Sequence, residues 1–137
     1  MTTRTLRYSV GNENSPTDPW GRSELVIRPD GSTRLDHHFS RFGGDRGWTG
    51  VVTAPVLEAL WAALDGSGFP AAPAGPFVPD STLARLAVDD TSALVIASAS
   101  GYAALFDVLN GVIRDLSGGA VPYPSRQGVT VTDVRAG

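Results

Sequence analysis

Tyr102, Leu105, Phe106, Leu109, Val112, Ile113 and Leu116 recur at spacings of three and four residues. A segment with that period gathers its apolar side chains into one helical stripe, and the stripe must be buried against another element. A second stripe, Val56, Leu57, Leu60, Trp61 and Leu64, has the same period. Thr53 is placed to cap its start, Pro55 suits its first turn, and Gly66 or Gly68 can end it in a left-handed conformation. Ser100 can cap the later helix, and Gly118-Gly119 ends it. Two helices with one apolar face each need a surface to cover, and the rest of the chain must supply it.

That surface reads as a sheet. Leu6, Tyr8 and Val10 alternate with Arg7 and Ser9, the two-residue period of a half-buried strand. Residues 23–28 and 33–40 read as strands joined by the turn Pro29-Asp30-Gly31-Ser32, where Pro presets the first turn angle and Gly accepts positive φ. In the second of them Thr33, Leu35, His37 and Phe39 share one face, and Arg34, Asp36, His38 and Ser40 the other. Residues 41–47 form the next turn and residues 48–52 a fourth strand. Residues 82–88 and 93–98 form a hairpin about Asp89-Asp90-Thr91-Ser92. Residues 118–137 are a tail whose alternating stretch 129–134 is a candidate edge strand. The expected fold is α+β: an antiparallel sheet of five to six strands with both helices on one face, in one domain spanning residues 1–137. The other sheet face is left to water or a partner.

Composition narrows the function. There is no cysteine, which removes disulfides, thiolate nucleophiles and cysteine metal sites. The net charge of −3 and a pI near 5.2 argue against a nucleic-acid binder. No segment approaches the roughly 20 apolar residues of a membrane span, and residues 1–10 lack an apolar signal core, so a cytoplasmic location is expected.

No chemistry-bearing motif stands out. His37 and His38 are adjacent on a strand and so diverge to opposite faces. Asp36 shares a face with His38, and a distant acid could complete a metal triad with them. A cross-strand ion pair with Arg28 or Arg34 is the plainer reading. Asp89-Asp90 suits a turn, because Asp bonds its own backbone there. No serine lies in a nucleophile elbow. Gly66-Ser67-Gly68 follows a helix and precedes Pro70, the reverse of a phosphate loop. Trp48 and Trp61 suit a core. Phe69 and Phe77 lie in residues 69–80, a loop with four prolines, and there they either cap the core or anchor a partner.

Residues Trp48-Thr49-Gly50-Val51-Val52 lead into the Leu57-Leu60-Trp61 helix and then Gly68-Phe69-Pro70, and the final helix ends at Gly118-Gly119. With eleven arginines and no lysine, this resembles short actinobacterial proteins. The element order resembles that of emfourin-type inhibitors of metallopeptidases, and the size and acidity resemble polymorphic-toxin immunity proteins. The likeness covers the architecture of residues 23–117, and no inhibitory motif is shared residue by residue. It implies a non-catalytic protein-binding module without metal or cofactor, an inhibitor or immunity protein whose partner is a peptidase or toxin. Phe69, Phe77, Arg41 and Arg46 are the expected partner-binding residues. A small-molecule pocket between sheet and helices is the alternative.

Overall fold

The computed structural model describes residues 4–11, 22–38, 45–69, 83–96, 102–121 and 125–136. Seven strands and two helices follow in the order β1 (Leu6–Gly11), β2 (Arg22–Ile27), β3 (Ser32–His38), β4 (Asp45–Val52), α1 (Ala54–Gly66), β5 (Leu83–Val88), β6 (Thr91–Ile96), α2 (Ala103–Leu116) and β7 (Val131–Ala136). They form one sheet in the order β6-β5-β1-β2-β3-β4-β7, with every neighbouring pair antiparallel. The fold is the expected α+β arrangement. It has seven strands rather than five or six because the tail does pair, as β7 on the free edge of β4.

Local chemistry sets the turns. Between β2 and β3, Gly31 adopts φ 92°. The Asp30 carboxylate accepts from the Ser32 amide at 2.9 Å and its hydroxyl at 2.7 Å. These bonds hold the Asp30 carboxyl below its ordinary value. Between β5 and β6, Asp89 takes a left-handed φ of 53° and exchanges two bonds with the Thr5 backbone, through its own amide and its carboxylate, both at 3.0 Å. The turn reading of Asp89-Asp90 therefore holds.

In α1 the stripe is as read: Leu60, Trp61 and Leu64 are buried, with Val56 and Leu57 at its half-buried margin. Thr53 stands at the N-cap, but its hydroxyl caps nothing. Its backbone acts instead, the carbonyl accepting from Leu57 and the amide donating to Thr130. In α2 all seven stripe residues are buried, and so are Val108 and Gly111. The helix begins at Ala103 with Tyr102 at the N-cap; Ser100 lies outside the described residues.

Two connections decide which sheet face is covered. β4 and β5 run in the same direction and are joined through α1. β6 and β7 also share a direction and are joined through α2. One crosses the sheet leftward between descending strands, the other rightward between ascending strands, which is the same rotational sense. Crossovers between parallel strands are right-handed in nearly all cases, so both helices fall on one face. There they touch each other and the sheet: Tyr8 stacks on Phe106 with centroids 5.6 Å apart, and Phe106 on Tyr102 at 5.8 Å. Leu6, Leu25, Ile27, Leu35, Trp48, Val52 and Leu86 complete this face of the core.

The approach to β7 is locked onto α2. Asp107 accepts from the Arg126 amide and the Gln127 side chain, each at 2.9 Å. Arg114 donates to the carbonyls of Ser125 and Gln127. Asp115 accepts from the Thr130 amide at 3.0 Å and its hydroxyl at 2.8 Å. Burial pushes the Asp115 carboxyl upward, but its bonds from Arg114 and Thr130 outweigh this and hold it below its ordinary value.

Candidate functional site

Strand alternation sends every second side chain away from the helices. On β2 the residues Ser23, Leu25 and Ile27 are buried, while Glu24 is exposed and Val26 half-buried. On β3 the buried set is Thr33, Leu35 and His37, with Ser32, Arg34, Asp36 and His38 opposite. The polar inward residues are satisfied locally. Thr33 donates to the Val26 carbonyl at 2.8 Å, and the Ser23 hydroxyl meets His37 Nδ1 at 2.6 Å. Ser23 and His37 are 0% and 1% exposed, so the pair lies within the core side of the sheet.

The outward face is built in rows. Register pairing aligns Ala87, Arg7, Val26, Arg34, Thr49 and Arg135 across β5, β1, β2, β3, β4 and β7. The adjacent row carries Arg85, Ser9, Glu24, Asp36 and Gly47. Arg34 forks onto Asp36, Nε to Oδ2 at 3.0 Å and Nη2 to Oδ1 at 2.9 Å, and that bond raises the Arg34 pKa. Beyond them His38 Nδ1 lies 2.6 Å from Asp45 and its Nε2 3.9 Å from Glu24. Glu24, Arg34, Asp36, His38, Asp45 and Arg46 border a shallow depression of about 410 Å³ at this corner of the sheet.

The two histidines diverge as expected, His37 inward and His38 outward. Asp36 is engaged by Arg34 rather than offered to a cation. His38 takes Asp45 on the neighbouring strand as its close partner, not an arginine. Among the described residues, no three His, Cys, Asp or Glu side chains are grouped to hold a metal. No helix of these residues is long and apolar enough to cross a membrane.

The expected partner-binding residues divide. Phe69 is half-buried against the core, and its amide donates to the Ser67 hydroxyl at 3.2 Å. Arg46 is exposed, its guanidinium 4.8 Å from the centre of the Trp48 ring, at the lip of the depression. Phe77 and Arg41 lie outside the described residues. Sequence reading assigned no partner-binding role to Arg7, Arg28, Arg85 and Arg135, all exposed. Each occupies a position of strand alternation opposite the apolar residues, but only the strand order shows that they share a face.

Comparison with family models, with curated proteins and with solved structures gave no match.

Proposed function

We propose that the protein is a non-catalytic protein-binding module, a small inhibitor or immunity protein, and that its interface is the sheet face opposite the helices. The observation that carries this reading is the outer sheet face, against which no described element packs. Six inter-strand gaps of about 4.8 Å and strands about 20 Å long make a plane of roughly 600 Å² before side-chain relief. A standard protein interface takes about 800 Å² from each partner, so the plane with its bordering turns is of the right order. The helix-side face is filled by its own core, including the Tyr8–Phe106 stack, which disfavours a small-molecule pocket between the layers. Arg46 stands at the sheet margin, by register on the side of His37 and Trp48 rather than within this face, while Phe69 serves mainly to close the core.

The test is co-expression with the product of the adjacent gene, followed by size-exclusion chromatography and an assay of that product's own activity. A complex that suppresses the activity is expected, and Val26→Glu with Thr49→Glu should abolish it with little change in melting temperature. A complex indifferent to both substitutions, or none with either neighbouring gene's product, would overturn the reading.

A further inference from the structure

We infer that the partner surface is acidic, because the outer sheet face presents arginines that form no ion pair among the described residues. The inference rests on the protein-binding reading and names the chemistry of the partner. Among the described residues of the strands and the β2 end, six arginines lie outward on this face, Arg7, Arg22, Arg28, Arg34, Arg85 and Arg135, against three carboxylates, Glu24, Asp36 and Asp45. The chain as a whole carries −3, so positive charge is segregated here.

The carboxylates of the face are already engaged. Asp36 is forked by Arg34, Asp45 is held by His38, and Glu24 lies 3.6 Å from Arg22 and 3.9 Å from His38. Arg7, Arg85 and Arg135 have no ion pair or side-chain hydrogen bond among the described residues, while Arg28 lies near the Asp30 carboxylate of the adjoining turn, which its charge favours. In the row Arg7–Val26–Arg34–Thr49–Arg135 the arginines stand two strands apart, a spacing of about 10 Å. The short side chains of Val26 and Thr49 separate them. Guanidinium groups fork onto carboxylates, and arginines at the centre of an interface dominate its energetics. A folded acidic surface, with carboxylates spaced by secondary structure, matches this array.

A nucleic acid fits it less well. Its phosphates add about one negative charge per 1.7 Å of duplex, against a face that keeps three carboxylates. No Phe, Tyr or Trp among the described residues lies on this face to stack bases.

The experiment uses poly-L-glutamate of about 20 residues as probe and a 20-base-pair DNA duplex as the contrasting arm. Both are titrated into the isotope-labelled protein and followed by NMR at low and high salt. Expected are shifts of the Arg7, Arg34, Arg85 and Arg135 side-chain Nε–H resonances with polyglutamate, lost at high salt. Arg7→Gln with Arg135→Gln should weaken polyglutamate binding roughly tenfold at an unchanged melting temperature. If the variant melts early, Arg85→Gln alone, at the end of the adjacent row, must still weaken binding measurably. Tighter binding of the duplex at the same residues overturns the inference, as do shifts elsewhere or none at millimolar probe. The outcome is independent of the complex test above: polyglutamate binding without a neighbouring-gene complex sinks only the inhibitor reading. A complex insensitive to the arginine substitutions sinks only the acidic-surface inference.

Discussion

Gly111→Ala sets two physical effects against each other with opposite signs. Gly111 lies within α2, where glycine costs about 1 kcal/mol relative to alanine, so helix propensity alone predicts a more stable protein. But the segment leading to β7 crosses the helix at this glycine. A Cβ at Gly111 would lie 2.8 Å from Ser125 Oγ and 3.0 Å from Gln127 Cβ. Neither can swing away freely. The Ser125 hydroxyl donates to the Asp107 carbonyl at 2.7 Å and accepts from the Gln127 amide at 3.1 Å, and Gln127 is tied to Asp107 and Arg114. Restoring ordinary contact means moving backbone by several tenths of an ångström and stretching these bonds. Overpacking of this kind costs about 1–3 kcal/mol, and each hydrogen bond lost costs about 1 more. After the gain in propensity, a net loss of about 1–3 kcal/mol remains. For a chain of this size that lowers the melting temperature by about 3–12 °C. Denaturant midpoints measure the loss, and hydrogen exchange locates it: amides of β7 should open first, those of β2 and β3 last. A variant stabilised by about 1 kcal/mol with β7 exchange unchanged would show that the segment does not sit on the helix.

Leu109 is fully buried on α2, and Leu109→Ala should cost about 2–5 kcal/mol; an unchanged denaturation midpoint would refute the helix face. Ser23→Ala removes the partner of His37 Nδ1 in the core and should cost about 1–3 kcal/mol, against less than about 0.5 for Arg7→Ala at the exposed face; equal effects would contradict the burial of the pair. The Asp115 carboxyl titrates lower in the folded state than its ordinary 3.8. Its stabilising contribution is therefore complete above about pH 4 and is lost as the pH falls through the folded value. Asp115→Asn should remove part of the acid sensitivity of β7 exchange, and an unaltered profile between pH 5 and 3 would exclude that role.

How much of this was legible follows from the range of the interactions involved. The stripes of α1 and α2 and the turn at Asp30-Gly31 rest on neighbours within a few residues, and these readings agree with the structure. The hairpin at Asp89-Asp90 was equally local. The strand β7 was ambiguous because its order depends on distant bonds, those of Asp107, Arg114 and Asp115 to residues 125–130. Those three residues look like ordinary helix-surface charges in the sequence. Phe69 could be read as core or anchor, and only its packing against the core separates the two. The arginine face was least legible. Arg7, Arg85 and Arg135 are separated by up to 128 positions and become neighbours only through the order β5-β1-β2-β3-β4-β7.

The bareness of that face is itself a product of connectivity. Had α1 and α2 crossed with opposite rotational sense, one helix would lie on each side, and Arg34 and Arg7 would have to give way to an apolar stripe. Because the two crossings share a sense, the chain meets the needs of both helices on one side. No folding requirement then acts on the outer side chains beyond solubility and protection of the sheet edges. Solubility alone is served by interspersed charges of both signs, and on β3 the Arg34–Asp36 fork follows that pattern. Arg7, Arg85 and Arg135 do not, since among the described residues none has a carboxylate bonded to it. An excess of one sign on a face against which no described element packs costs some self-repulsion and adds nothing to the core. That cost is offset if the charges meet their complement on another molecule, and this links the outer sheet face to a partner that is acidic where it touches.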